Sequence, residues 1–175
     1  MRVKPVILGQ APSRLGDGRP FTGPSGDTLV RWAGLHTRDE LLEFFELDNL
    51  LSRPLPKNSD PKRRPSVFSQ RDGRIESGNF LGRQRLRALR QLGQVEYNNF
   101  IDHGHFVVVV LGTKVWRAFG LPRDTDLFGE LPIHDDFCMI RFPHPSGLNL
   151  QLNDKTLVEQ VRTNLRRIGQ VPSTD

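Results

Sequence analysis

Apolar and polar positions alternate along this chain in blocks. Val6, Ile7 and Leu8 form a short apolar run that stops at Gly9 and predicts a first strand over about Val3 to Leu8, after which a polar loop rich in glycine and proline takes over. Leu29, Val30, Trp32 and Ala33 then recur at helical spacing, which predicts a helix from about Ser25 to Gly34. Thr37 followed by Glu40 has the form of a capping box, opening a second helix whose apolar residues include Leu41, Leu42, Phe44 and Phe45. "LDNLLSRPLP" (47–56) reads as a short strand that must end by Pro54, since proline has no N–H to give a ladder. Residues 54–78 carry prolines and basic residues without periodicity, which predicts a long loop. Arg83 to Leu92 alternates basic and apolar residues at helical spacing.

"HFVVVVLG" (105–112) is the clearest element. Four successive valines fit a parallel strand buried on both faces. Gly112 and Thr113 turn the chain into a helix carrying Val115, Trp116 and Phe119 and ending at Gly120. A further strand spans Phe137 to Phe142. The last helix runs from about Asp154 to Ile168, with Leu157, Val158, Val161, Leu165 and Ile168 on one face. Strands alternate with helices, so the expected class is α/β: a three-layer sandwich with a mostly parallel central sheet flanked by helices.

Composition narrows this further. The 175 residues suffice for one domain with a real core, expected to span 1–175. No apolar run is long enough to span a membrane, and the N-terminus lacks a signal-peptide pattern. With Cys138 the only cysteine, an internal disulfide and an all-cysteine metal or iron–sulfur site within one chain are excluded. An intracellular protein of bacterial or phage-like origin is expected, acting as a monomer without a membrane partner. The formal net charge is +5, yet it is unevenly spread. Arg53 to Arg90 holds eleven Lys and Arg against three Asp and Glu, leaving the remainder slightly acidic. A basic segment on such a body predicts one positive face and a polyanionic partner, although a solvated loop would look the same.

In open parallel sheets, ligands gather beyond the carboxyl ends of the strands. That makes neighbours of residues 9–23, 49–54 and 143–149. A triphosphate cradle fits poorly there. No Lys-Ser or Lys-Thr follows the glycines, and Gly16-Asp17-Gly18 has no third glycine in register.

The three segments together resemble motifs of the uracil-DNA glycosylase superfamily. Gly9-Gln10-Ala11-Pro12 and Gly18-Arg19-Pro20-Phe21-Thr22-Gly23-Pro24-Ser25-Gly26 are similar to the first motif of its thermophilic-type branch. Asn49-Leu50-Leu51-Ser52-Arg53-Pro54 is similar to the second strand end, and "HPSGLN" (144–149) to the third signature. Order and spacing agree over nearly the whole chain. The resemblance implies the fold of that superfamily and an enzyme that flips a base out of DNA and hydrolyses its N-glycosidic bond, with DNA as partner.

It also implies roles. Phe21 stands where the flipped base stacks, although a core Phe plugging the loop is the plain alternative. Asn49 stands where a carboxamide, donor and acceptor together, reads the pyrimidine edge; an Asn there can also simply cap a turn. His144 matches the donor to the pyrimidine O2, where negative charge develops. Leu148 matches the wedge that fills the vacated stack. Ser146 and Ser25 would hold phosphates, and Lys62, Arg63 and Arg64, with Lys57, would follow the DNA backbone.

The chain departs from the branch in two places, and a third position sets it apart from the most uracil-specific branch. The branch binds an iron–sulfur cluster through four cysteines; a lone Cys138 implies a cluster-free relative, and no metal or cofactor is expected. The first-motif slots that usually hold a carboxylate or Asn carry Gln10 and Ala11. Gln10 can orient water without taking its proton, which leaves Asp17 as the candidate carboxylate partner of a cationic sugar. Ser13 stands where the most uracil-specific branch has a Tyr that bars 5-substituted pyrimidines, so a C5-modified base would fit. The expected function is therefore excision of uracil or a C5-modified pyrimidine, in repair or against foreign DNA. A non-catalytic DNA-binding relative that recognises a flipped base is the alternative.

Overall fold

The computed structural model describes residues 4–10, 17–49, 106–134, 137–146 and 149–172. Their order is β1 (Val6–Gly9), α1 (Pro24–Ala33), α2 (Arg38–Phe44), β2 (Glu46–Asn49), β3 (Phe106–Leu111), α3 (Thr113–Ala118), β4 (Glu130–His134), β5 (Phe137–Phe142), a 3-10 turn (Leu150–Asn153) and α4 (Lys155–Gly169). The sheet order is β2-β1-β3-β5-β4. Three of its pairings are parallel, and β4 runs antiparallel to β5 at the edge.

Strand alternation sorts the core into two layers. Ile7, Val109, Leu111, Ile140 and Phe142 face one side, where Leu29, Val30 and Trp32 of α1, Leu41 of α2 and Val161 and Leu165 of α4 cover them. Val6, Leu8, Val108, Val110 and Met139 face the other, under Val115 and Trp116 of α3 and Phe119 just after it. Helices therefore flank both faces, as the pattern of the chain predicts. Each fully buried valine or leucine of this sheet stabilises it by about 1.5–3 kcal/mol relative to exposure.

The helix ends follow from local chemistry. Thr37 Oγ1 accepts the Glu40 N–H at 3.1 Å, and Glu40 Oε2 reaches back to the N–H of His36 at 2.8 Å. The expected box is therefore present, shifted one residue towards the N-terminus on its return bond. At the end of α1, Gly34 takes φ 73°, and the Arg166 guanidinium lies where its side chain would be. Arg166 Nε also donates to Ala33 O at 3.2 Å, placing a cation on the negative end of α1. Asp154 caps α4 through the N–H groups of Thr156 and Leu157.

β4 and the 3-10 turn are additions to the sequence reading. The expected loop at 54–78 and helix at 83–92 lie outside the described residues. Among the described residues, no helix is long and apolar enough to cross a membrane.

Candidate functional site

The parallel strands deliver their carboxyl ends to one edge of the sheet. Gly9 ends β1 and pairs in register with Asn49, the last residue of β2. A Cβ on Gly9 would lie 2.6 Å from Asn49 Oδ1 and 2.6 Å from Phe21 Cζ. The ring and the carboxamide therefore meet over one backbone position that only glycine leaves open. Gly9 is the floor on which both side chains rest.

Phe21 is held in a strained conformation by its neighbours. It adopts φ 55°, a left-handed conformation that costs a non-glycine residue about 1–3 kcal/mol. Its carbonyl presses on Gly26, where a Cβ would collide with it. One residue earlier, Pro20 O accepts two bonds from Arg38, from Nη2 at 3.0 Å and Nε at 3.3 Å. The ring is 8% exposed and joins the core layer containing Ile7 and Leu29. It thus packs into the core and borders Asn49 at the same time.

Asn49 is only partly buried as a residue, yet among the described residues both polar atoms of its side chain are fully buried and without a hydrogen-bond partner. Gln10, one residue beyond the floor glycine, has a buried Nε2 that also lacks a partner among the described residues. Leaving a buried polar group unpaired costs about 1–3 kcal/mol, so the Asn49 carboxamide marks a place where a polar ligand has something to satisfy.

The other half of the edge is built on β3 and β5. Gly112 follows β3 at φ 83°, and a Cβ there would lie 3.1 Å from the Cβ of His144 and 3.3 Å from its Cδ2. Gly112 N also donates to Phe142 O at 2.9 Å, tying the strand ends together. His144, partly buried, accepts the backbone N–H of Ser146 on Nδ1 at 3.2 Å. The proton of the neutral ring is therefore on Nε2. Burial, and then the charge of Lys114, hold the imidazole pKa below its ordinary value, so the ring is neutral.

Asp17 has a different setting. Its carboxylate is exposed and accepts Arg19 Nε at 2.6 Å and the Arg19 N–H at 3.0 Å. These bonds hold its pKa far below the usual carboxylate range. Ser25 is the second residue of α1 and half-buried, as is Ser146 in the loop after β5. Ala11, Ser13, Leu148, Lys62, Arg63 and Arg64 lie outside the described residues. Among the described residues no cluster of His, Cys, Asp and Glu could hold a metal. The Cys138 thiol is pushed up to about 11, mainly by burial, and stays protonated.

A family model of the uracil DNA glycosylase superfamily matches residues 2–166. The chain belongs to this superfamily. No curated protein matches it. The superfamily comprises DNA glycosylases, and the mostly parallel five-stranded sheet between helices agrees with its fold. The positions flagged by the resemblance form two groups along one sheet edge, Phe21 with Asn49 over Gly9, and His144 with Ser146. Gln10 follows Gly9 at the end of β1, and Asp17 lies exposed on the loop, paired with Arg19. Sequence reasoning missed Gly9 as a floor, Gly112 as the wall behind His144, and Arg38 as the anchor of the Phe21 loop. The glycine after each strand was a usable signal for the first two. Nothing in the local pattern pointed to Arg38.

Proposed function

We propose that this protein is a DNA glycosylase that takes a uracil-like or C5-modified pyrimidine out of the duplex and hydrolyses its N-glycosidic bond. The observation that carries this reading is the Asn49 carboxamide, its donor and acceptor both buried and without a partner among the described residues, beside the Phe21 ring. Uracil offers the complementary pair: N3–H for Oδ1, and O4 for Nδ2. Stacking against Phe21 and pairing with Asn49 would replace part of what the base loses on leaving the helix.

In the reaction, the bond between C1′ of the sugar and N1 of the base breaks, and its electron pair departs with the base. Negative charge collects on O2. His144, neutral with its proton on Nε2, donates a hydrogen bond to that oxygen without first having to be charged. Such preorganised donation is worth most as the charge develops. Water then attacks C1′ and gives its proton to solvent. Gln10 orients this water but cannot keep the proton. Asp17, tied up by Arg19, acts at most as a distant charge on the cationic sugar; ordering the loop suits it better. Leu148 fills the vacated stack, Ser25 and Ser146 hold phosphates, and Lys62, Arg63 and Arg64 follow the backbone. Ser13 leaves room at C5.

A second reading has one specific observation behind it. The carboxylate offered by the first-motif loop is exposed and already paired, which suits a protein that holds a flipped base without cleaving it. One experiment separates the two. Duplexes carrying uracil or 5-substituted pyrimidines are incubated with the protein, then treated with alkali to cut at abasic sites. Strand breaks at the modified position support the glycosylase. Tight binding to the same duplexes without breaks would establish the non-catalytic binder and overturn the enzyme.

A further inference from the structure

The loop that carries His144 is closed by one residue from both sides. Asn149 Nδ2 donates to His144 O at 3.1 Å, and Asn149 N donates to Ser146 O at 2.9 Å. Between these two anchors, Ser146 N donates to His144 Nδ1 at 3.2 Å. The Asn149 carboxamide is used on its other side as well: Oδ1 accepts the N–H of Gln151 at 3.2 Å, capping the 3-10 turn that leads into α4. One side chain therefore couples the imidazole loop to the 3-10 turn that precedes the last helix.

We propose that Asn149 is a positioning residue for His144, fixing the imidazole tautomer by clamping the His144–Ser146 backbone. The reasoning is geometric. A peptide N–H can hold Nδ1 as an acceptor only while the turn between residues 144 and 146 keeps its shape. Asn149 bonds to the carbonyl at each end of that turn, so the clamp constrains the one N–H that selects the tautomer. Proline at 145 fixes its own φ and so removes one of the soft backbone dihedrals between them. Without the clamp, Ser146 N–H drifts from Nδ1. The ring then populates the form with its proton on Nδ1, whose Nε2 is an acceptor and has nothing to donate to a departing anion.

Two substitutions separate this role from helix capping. Asn149→Ala removes both bonds of the carboxamide. Asn149→Ser keeps a good cap for the Gln151 N–H, but its hydroxyl is too short to reach His144 O as well. The protein is labelled with 15N-histidine, and the His144 ring nitrogens are followed by NMR in the free protein at neutral pH. The wild type should show one neutral tautomer protonated on Nε2, and both variants an exchange-averaged mixture. The role rests on the glycosylase reading, so single-turnover cleavage is measured alongside. We expect a loss of about tenfold in the rate at saturating DNA, with the concentration for half-saturation unchanged within about twofold.

An unaltered His144 signature in a folded Asn149→Ser protein overturns the proposal, and so does a tautomer shift in Asn149→Ala alone. The NMR measurement needs no DNA. If the wild type cleaves nothing, the glycosylase reading falls while the clamp is still decided by the spectrum.

Discussion

The backbone N–H of Ser146 donates to Nδ1 of His144 at 3.2 Å, and this one bond commits the imidazole proton to Nε2. A group so prepared contributes to the rate without contributing much to affinity, because the charge it stabilises exists only as the base departs. His144→Ala should lower the cleavage rate by about 10²–10³ while leaving DNA affinity nearly unchanged. Single-turnover kinetics with a parallel binding titration checks this. Equal losses in stability and activity would reduce His144 to a packing residue.

The same ring sets a pH dependence. Burial and Lys114 lower its pKa in the folded protein below the ordinary value of about 6.5. Between those two values the unfolded chain binds more protons than the folded one. His144 therefore makes the fold less stable as pH falls from about 6.5 to its folded value, and has no effect above that window. Activity that needs the neutral ring should persist below pH 6.5 and fail only as the lowered pKa is crossed. A pH–rate profile whose acid limb is centred at or above 6.5 would contradict the lowered pKa, and a rate that rises as the ring protonates would contradict the neutral donor.

Gly9 should tolerate no side chain. A methyl group there would meet Phe21 Cζ and Asn49 Oδ1 at 2.6 Å, closer than real contacts allow. The Asn49 carboxamide or the Phe21 ring must then move, and Phe21 is constrained by a left-handed backbone anchored through Pro20 and Gly26. Gly9→Ala should cost about 1–3 kcal/mol as an overpacking change. It should also remove activity out of proportion to that loss, since it displaces both base contacts. Thermal melting and cleavage measured on one sample test the disproportion.

How far the chain could be read from its pattern depended on what each element buries. The valines of β3 face apolar layers on both sides, so their run is unambiguous. β4 was illegible because Pro132 stands in its middle, and proline in a short run argues against a strand. The structure accommodates it by making β4 an edge strand with an irregular register between Pro132 and His134. At the site, the sequence offered motif residues as candidates, Asn149 among them without a role, but not what holds them in place. Arg38 holds the Phe21 loop from a different helix, and Asn149 acts on His144 through backbone atoms. Contacts of that kind leave no periodicity.

The basic segment makes a separate claim about DNA. Lys62, Arg63 and Arg64 carry charge without an apolar pattern, as expected of residues that neutralise phosphates. Replacing the three together should weaken binding to every sequence alike. It should also flatten the dependence of log K on log salt by about 0.9 for each lost phosphate contact. A salt titration by fluorescence anisotropy reads this directly, and an unchanged slope would assign the run to solvent.

Asn49 offers the sharpest separation of folding from function. Its Oδ1 and Nδ2 are buried and unpaired in the protein alone, which is an energetic cost that no contact within the described residues relieves. A residue kept for the fold would not carry that cost, whereas one kept for a ligand must wait for it. Leucine has the same branched arrangement of side-chain heavy atoms and no polar ones, so Asn49→Leu removes the unpaired donor and acceptor together. Replacing unsatisfied polar atoms by apolar ones of the same shape is neutral or stabilising. The variant should therefore melt at the same temperature as the wild type or higher, with a gain of up to about 1–3 kcal/mol, and should lose recognition of the base. Asn49→Ala, which leaves a hole beside Phe21, should lose activity without the gain in stability. Denaturation of the three proteins alongside cleavage of one substrate makes the comparison. If Asn49→Leu is destabilised and active, the carboxamide serves the turn at the end of β2, and the base is read elsewhere.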